Sequence, residues 1–362
     1  GETTTPMLYF ATGKYGFKAS AQITASHNSK EYNGLKISKE NALPVGYNTG
    51  LSTLQEWINS REVHPSKNRG KVHFLDIREE YITFLLSYKK ELSALNIGVD
   101  TSNGMAGLII KDVLGQPSRS LHYIFDELDG TFPNHDANPL VAENLRDLQN
   151  LVNDKGCDIG VIFDGDGDRV MFIDENGEFI SPDLMIALMG HYFLEERGLK
   201  GAVLQDIRSS KAVGEYLEPM GAEMHTWRVG RAFAALKLRE IDGVFGGELA
   251  GHYYFKEFFY NDSGIMAALI ILGLLAQMRA QGKKVSEVIS QIKKYHNSGE
   301  INFKIANKKE AMDLIRDYFS TREEVLKSLD FDGYRVEFKE WWFNIRPSNT
   351  EPYLTLCHCK TC

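Results

Sequence analysis

Two kinds of segment alternate along the chain. Short apolar runs of strand length lead into turns of small polar residues, and these lead into stretches with helical spacing. "LNIGVD", 95–100, runs through "TSNG" into "MAGLIIKDVLG". "AVLQD", 202–206, runs through "IRSS" into "KAVGEYLEPMG". The two units align without a gap, Asp100 on Asp206, Ala106 on Ala212 and Gly115 on Gly221. Each reads as a strand, a tight turn and a helix closed by glycine.

A second correspondence follows each unit. "DIGVIFDGDGDR", 158–169, and "IDGVFGGELAGH", 241–252, are both apolar strands that end in a glycine loop, and "SAQITASHN", 20–28, is a third, weaker example of a strand running into a polar loop. Repetition over roughly a hundred residues fits duplicated domains better than a solenoid. The alternation predicts an α/β protein with mainly parallel sheets. In open α/β sheets ligands bind at the carboxyl ends of strands, where these loops lie.

The most apolar run, "IMAALIILGLLAQM" at 265–278, is too short to span a bilayer and predicts a buried helix. Near the end, "INFKI" (301–305) and "YRVEF" (334–338) alternate like half-buried strands around a polar helix. That pattern predicts a smaller α+β domain. The expected organisation is three similar α/β domains with mixed or parallel sheets, then this C-terminal domain. The expected boundaries are 1–78, 79–181, 182–296 and 297–362.

Composition narrows the function classes. The 362 residues suggest about two to four domains. Hydrophobic (43%) and charged (25%) fractions are those of an ordinary globular protein. A net charge of −8 makes nucleic acid an unexpected partner. A small phosphorylated ligand remains compatible, because one pocket can be positive on an acidic surface. Residues 1–20 carry no apolar core with a cleavage site, so the expected compartment is the cytoplasm, with no membrane partner. Three of the four cysteines, Cys357, Cys359 and Cys362, crowd the last six residues around His358; Cys157 stands apart. A chain end offers little framework for a metal, so an ordinary or frayed terminus is expected there.

Four stretches carry candidate chemistry. In "DGDGDR", 164–169, Asp164, Asp166 and Asp168 alternate with glycines and can converge on one hard cation. A calcium loop would use Glu175 as its twelfth position, but Arg169 occupies the sixth, where glycine is required. "RPSNTEP", 346–352, offers a guanidinium, two hydroxyls and an amide on a turn, which reads equally as a phosphate cradle or as a plain Pro/Ser/Asn turn between two strands. "GGELAGH", 246–252, pairs Glu248 with His252 for sugar hydroxyls, against a plain turn with Glu248 in solvent. "TASHNSKEYNGLK", 24–36, offers Ser26 as a nucleophile, with His27 and Lys36 nearby. On an extended segment adjacent side chains diverge, so His27 is expected to be a poor base for Ser26. Lys36 can move a proton if its surroundings lower its pKa. No G-x-x-x-x-G-K-[ST] and no strand-linked G-x-G-x-x-G is present, so a nucleotide cofactor is not indicated.

These four loops, in this order, resemble the α-D-phosphohexomutase family, nearest its phosphomannomutase/phosphoglucomutase branch, over essentially the whole chain. The resemblance implies four domains around a central cleft, the last a mobile lid. It implies a phosphoserine at Ser26 and Mg²⁺ held by Asp164, Asp166 and Asp168 with a phosphoserine oxygen. Arg169 would lie beside the phosphoryl group, Lys36 would be the general acid/base and His27 a supporting group. Gly247, Glu248 and His252 would bind the sugar, while Arg346, Ser348, Asn349 and Thr350 would hold the phosphate that is not reacting. The implied reaction interconverts hexose 6-phosphate and hexose 1-phosphate through a hexose 1,6-bisphosphate that is both intermediate and activator. Asn349 stands where glucosamine-phosphate mutases usually have glycine, and "GGELAGHYYF" resembles the phosphomannomutase branch more than the phosphoglucomutases of animals, so mannose is favoured, with glucose as a second substrate. The implied partners are small sugar phosphates, and the chain would be a monomer or dimer.

Some positions depart from the family pattern. Ser29 replaces a proline, Ala250 replaces a serine, and Arg208 and Arg231 stand where some members have Lys and His. Relatives also begin with a further strand–helix unit before "TTPMLYFA". That difference raises the expectation of an incomplete first domain and a weak or inactive mutase. The other readings are a Mg²⁺-dependent sugar phosphatase and a non-catalytic sugar-phosphate binder.

Overall fold

The computed structural model describes residues 1–61, 66–68, 70–348 and 353–361. Helix α1 (Thr5–Lys14) begins where the Thr4 hydroxyl accepts from Met7 N at 3.1 Å, with Pro6 in the first turn. Both are favoured starting residues, because the first N–H groups of a helix lack intrahelical partners. The helix lies against an antiparallel sheet of β1 (Ala19–Ile23), β2 (Leu35–Lys39) and β3 (Leu43–Pro44). The exposed helix α2 (Leu51–Ser60) follows. The loop joining β1 to β2 carries Ser26.

The second unit contains α3 (Arg78–Leu86), β4 (Ile97–Asp100), α4 (Ile110–Val113), β5 (Leu121–Ile124), α5 (Arg146–Lys155), β6 (Ile159–Phe163), β7 (Val170–Asp174) and β8 (Phe179–Ile180). Its sheet runs β5-β4-β6-β7-β8, parallel across the first three strands and antiparallel afterwards. The third unit contains α6 (Pro182–Gly190), β9 (Gly201–Asp206), α7 (Lys211–Leu217), β10 (Ala222–Trp227), α8 (Arg231–Glu240), β11 (Phe245–Gly247), β12 (Tyr253–Phe255) and β13 (Asn261–Asp262). Its sheet, β10-β9-β11-β12-β13, repeats the same pattern. Thus β4 corresponds to β9 and β6 to β11, the pairs that the sequence repeat aligns.

Helix α9 (Gly264–Ala280) is apolar all round and is buried from Gly264 to Ala276, as its composition requires. It packs on α3, α6 and β7, and α10 (Val285–Ile292) packs beside it. A single apolar core runs from Met7 in α1 through to Ile292 in α10, so the first three units are fused. Among the described residues no single helix is long and apolar enough to cross a membrane.

The fourth unit contains β14 (Tyr295–Asn297), β15 (Ile301–Phe303), α11 (Lys308–Ser320), β16 (Lys327–Leu329), β17 (Tyr334–Glu337), β18 (Trp341–Pro347) and β19 (Leu354–Thr361). Its sheet runs β14-β19-β18-β17-β16, with β15 also on β19. It has its own core, built on residues such as Met312, Val336, Phe343 and Ile345. A small cluster of Ala212, Tyr295, Trp342, Cys357 and Cys359 joins it to the third unit.

The cysteine-rich end takes the ordinary of the two forms expected of it. It is strand β19 rather than a frayed tail, and Cys357 and Cys359 are buried on its inner face. "LTLCHCK" alternates with period two, and cysteine packs there as a small apolar residue. Among the described residues no cysteine belongs to a group close enough to share a metal.

Candidate active site

The aspartate loop leaves the carboxyl end of β6 and returns as β7. Asp164, Asp166 and Asp168 are 0%, 2% and 0% exposed, and one ligand atom from each lies within 4.8 Å of the others. Asp164 Oδ1 accepts from Gly167 N (3.0 Å) and Arg169 N (3.2 Å), which folds the loop on itself. Among the described residues, Asp164 Oδ2, Asp166 Oδ1 and Asp168 Oδ1 are buried without a hydrogen-bond partner, and Arg169 Nε stands 3.5 Å from Asp164 Oδ2. Burial, reinforced by Asp168 and Asp166, pushes the Asp164 carboxyl well above the usual carboxylate range. Three converging carboxylates, each with an orphaned oxygen, fit a hard divalent cation. Glu175 takes no part. It caps α10, accepting from Ser286 Oγ (2.5 Å) and Ser286 N (3.1 Å), which removes the calcium-loop alternative.

The serine loop seats directly on the aspartate loop. A Cβ on Gly165 would lie 2.5 Å from Ser26 O, so only glycine permits the approach. Ser26 has φ 56, a left-handed conformation that is uncommon for a residue with a side chain. Thr24 Oγ1 stabilises it by accepting from Ser26 N at 2.8 Å. Because the chain turns here, the extended-segment expectation fails, and His27 Nδ1 lies 3.4 Å from Ser26 Oγ. Burial, then Arg169 and His252, lower the His27 pKa to about 3, so its ring is neutral at ordinary pH.

Lys36 is the hub. Its Nζ donates to Asp168 Oδ2 (2.5 Å) and Asp166 Oδ2 (2.7 Å) and reaches Ser26 Oγ at 3.3 Å. Burial alone would lower its pKa, but Asp166 and Asp168, helped by Tyr9 and Asp164, hold it above the ordinary lysine value. This is opposite to the lowering that a basic lysine would need, so Lys36 stands here as a charged donor. The same lysine, with His252 and Arg169, outweighs the effect of burial on Asp168 and keeps that carboxyl below its usual range.

Sequence reasoning missed several neighbours. Thr5 Oγ1 (2.5 Å) and Thr24 Oγ1 (3.2 Å) both donate to Asp166 Oδ2. Tyr9 is fully buried with its hydroxyl unpartnered among the described residues, and the Arg231 guanidinium lies 4.8 Å from its ring centre. Thr4 and Thr5 look like routine helix-start residues, and nothing in their spacing marks them out.

The "GGELAGH" loop leaves β11 and is stitched to the aspartate loop. Val170 N donates to Gly251 O (3.2 Å), and Arg169 bridges His252 in antiparallel register. Glu248 is 2% exposed and accepts from Tyr254 OH at 2.7 Å, so it is not a solvated turn residue. Burial raises its pKa. His252 Nδ1 bonds Asp262 Oδ2 at 2.5 Å and stands 3.8 Å from Asp168 Oδ1. Gly247 permits close packing, since a Cβ there would meet Ile186 Cγ1 at 2.8 Å. Asp206 clamps Arg208 through Nη2 (2.7 Å) and also accepts from Leu249 N (2.7 Å). Arg208 Nη1 then reaches Glu300 of the fourth unit at 2.9 Å. A cavity of about 760 Å³ opens at this junction, lined among others by Arg208, Leu249 and Glu300.

Arg346, the penultimate residue of β18, is 5% exposed, while Ser348 N donates to Tyr353 O at 2.9 Å. Asn349 and Thr350 lie outside the described residues. Ser26, His27, Lys36, the three aspartates, Arg169 and His252 therefore form one contiguous cluster. Glu248 borders it, and Arg346 and Ser348 stand apart on the fourth unit.

Two matched α/β sheets with loops at their strand ends, a third α/β unit fused to them and a separately cored fourth unit define an α-D-phosphohexomutase architecture. Family models agree along the chain. Phosphoglucomutase/phosphomannomutase alpha/beta/alpha domains I, II and III match residues 1–62, 79–177 and 181–295, and the C-terminal domain matches 300–357. The chain belongs to the phosphoglucomutase/phosphomannomutase family of phosphohexomutases. It is 36% identical to the phosphomannomutase of Methanocaldococcus jannaschii and 33% identical to that of Escherichia coli. Each match covers 98% of this chain and, respectively, 78% and 79% of the relative. A solved phosphoglucomutase/phosphomannomutase family protein from Burkholderia thailandensis superposes with TM-score 0.84 at 25% identity, over 99% of this chain and 78% of that one. The N-acetylphosphoglucosamine mutase of Aspergillus fumigatus, solved with GlcNAc-6P and magnesium, shares the fold at TM-score 0.61 and 14% identity, over 98% of this chain and 88% of that one.

Proposed function

We propose that this phosphohexomutase interconverts hexose 1-phosphate and hexose 6-phosphate, mannose preferred and glucose accepted, with Ser26 as the phosphoryl carrier. One observation carries the reading. Lys36 Nζ joins Ser26 Oγ to Asp166 and Asp168, so a half-buried hydroxyl and ammonium meet buried carboxylates at one point.

Asp164, Asp166 and Asp168 would hold Mg²⁺, which supplies charge neutralisation for the transferred phosphoryl group. In the transfer, a sugar hydroxyl oxygen bonds phosphorus as the bond from phosphorus to Ser26 Oγ breaks. One proton moves from that hydroxyl to Ser26 Oγ. Lys36, an ammonium beside Oγ, gives that proton and regains one from the hydroxyl. Arg169 adds positive charge, and neutral His27 is limited to hydrogen bonding. Glu248 and His252, with Gly247, would meet sugar hydroxyls. Arg346, Ser348, Asn349 and Thr350 would hold the other phosphate. The 1,6-bisphosphate then turns in the cleft and returns its second phosphoryl group to Ser26. A separately cored fourth unit suits that step, because it can move without disturbing the others.

The test combines product analysis with intact mass. With Mg²⁺ and a hexose 1,6-bisphosphate, the chain gains one phosphoryl group, Ser26→Ala does not, and mannose 1-phosphate gives mannose 6-phosphate. Chelation of Mg²⁺ abolishes turnover. Free phosphate as the product assigns a phosphatase instead, and an unmodified wild-type chain assigns a non-catalytic binder.

A further inference from the structure

The fourth unit touches the third through the short turn 331–333 that precedes β17. Phe331 packs on Trp227 with ring centroids 5.2 Å apart. Asp332 Oδ2 accepts from Val229 N at 2.8 Å, and Asp332 Oδ1 lies 3.2 Å from Arg346 Nη2. Asp332 is 9% exposed. Gly333 has φ +75, and a Cβ there would lie 2.3 Å from Ile345 O and 2.6 Å from Arg346 Cβ. The turn is thus pressed against the strand residue whose side chain its aspartate holds.

One donor at this bridge is unused: Arg346 Nε is buried without a hydrogen-bond partner among the described residues. The 228–231 loop turns its own guanidiniums elsewhere, Arg228 over the Phe233 ring and Arg231 over the Tyr9 ring. Asp332 therefore ties the strand that carries Arg346 to that loop through Val229 N.

We propose that Asp332 is a positioning residue. It fixes the Arg346 guanidinium and, through Val229 N, anchors it to the 228–231 loop, so that the phosphate-binding group of the fourth unit is held at a set place against the third. The inference rests on the reading of Arg346 as a phosphate ligand. A guanidinium on a long stem loses rotamer freedom when it binds, and a carboxylate that already holds it removes that cost in advance. The negative charge of Asp332 does not dominate, because a backbone N–H and the guanidinium both engage it. One nitrogen of Arg346 is committed to Asp332, and Nε remains for an anion.

The experiment uses the full chain with Mg²⁺ and compares wild type with Asp332→Asn, Arg346→Ala and Phe331→Ala. Equilibrium binding of mannose 1-phosphate is measured together with KM and kcat. Asp332→Asn should raise Kd and KM about tenfold with kcat within about twofold, an effect on binding rather than on chemistry. Phe331→Ala, which loosens the same contact but leaves the carboxylate, should change KM less than about twofold. Equal weakening by Phe331→Ala and Asp332→Asn assigns the effect to domain docking and overturns the proposal. Unchanged or tighter binding by Asp332→Asn, with weaker binding by Arg346→Ala, overturns it while the phosphate reading of Arg346 stands. Unchanged binding by Arg346→Ala instead overturns that reading, and the proposal with it.

Discussion

Lys36 Nζ stands 2.5 Å from Asp168 Oδ2, although 132 residues separate the two in sequence. The contact fixes both protonation states, since the ammonium holds the carboxyl ionised and the carboxylates hold the lysine charged. Removing one partner leaves a buried charge uncompensated, which costs more than the pair is worth.

Lys36→Met should therefore lower kcat by about 10²–10⁴-fold, the usual contribution of a positioned proton donor. Lys36→Arg should not restore it, because a planar guanidinium cannot place one donor on Ser26 and both aspartates in the same way. Steady-state rates on mannose 1-phosphate decide this. Activity of Lys36→Met within tenfold of wild type would remove Lys36 from the chemistry.

Glu175→Ala should cost about 1 kcal/mol of stability, because it strips the N-terminal partner from α10. It should leave Mg²⁺ affinity unchanged, since Glu175 faces Ser286 and not the aspartates. Chemical denaturation and a magnesium titration of the same variant separate the two effects. A large loss of magnesium affinity would put Glu175 back in the loop's ligand set.

The pair His135–Asp100 supports a pH prediction. His135 Nε2 bonds Asp100 Oδ2 at 3.0 Å behind the β4 turn. Burial opposes the charged ring, but Asp100 outweighs it and raises the His135 pKa. A raised histidine pKa stabilises the fold below the unfolded value of about 6.5, and the gain is lost as pH climbs through the folded value. The Tm difference between wild type and His135→Gln should thus be larger near pH 6 than near pH 9. A difference that is flat or grows with pH would refute the linkage.

Much of the architecture is legible in the sequence because it repeats. The register of Asp100 on Asp206 reports a shared strand–turn–helix plan, and the structure places both at strand ends of matching sheets. "DGDGDR" is legible because three acids between glycines have few other uses. What stays hidden depends on tertiary context. The αL turn at Ser26, which brings His27 beside it, follows from the loop's seat on Gly165. The direction of the Lys36 pKa depends on aspartates from another domain. Thr5, Thr24, Asp262 and Asp332 are ordinary residue types whose importance comes entirely from their partners.

The apolar core is continuous from α1 to α10 and gives way to a small cluster before the fourth unit. Deformation of the chain is therefore concentrated at one seam. The Ser26, aspartate and Glu248/His252 loops ride on one fused body, while the Arg346 turn is carried on a unit with a core of its own. On the proposed mechanism the turning bisphosphate exchanges its two ends, so the fused body presents one unmoving reacting surface to each end in turn, while the fourth unit lets go of one phosphate and takes hold of the other.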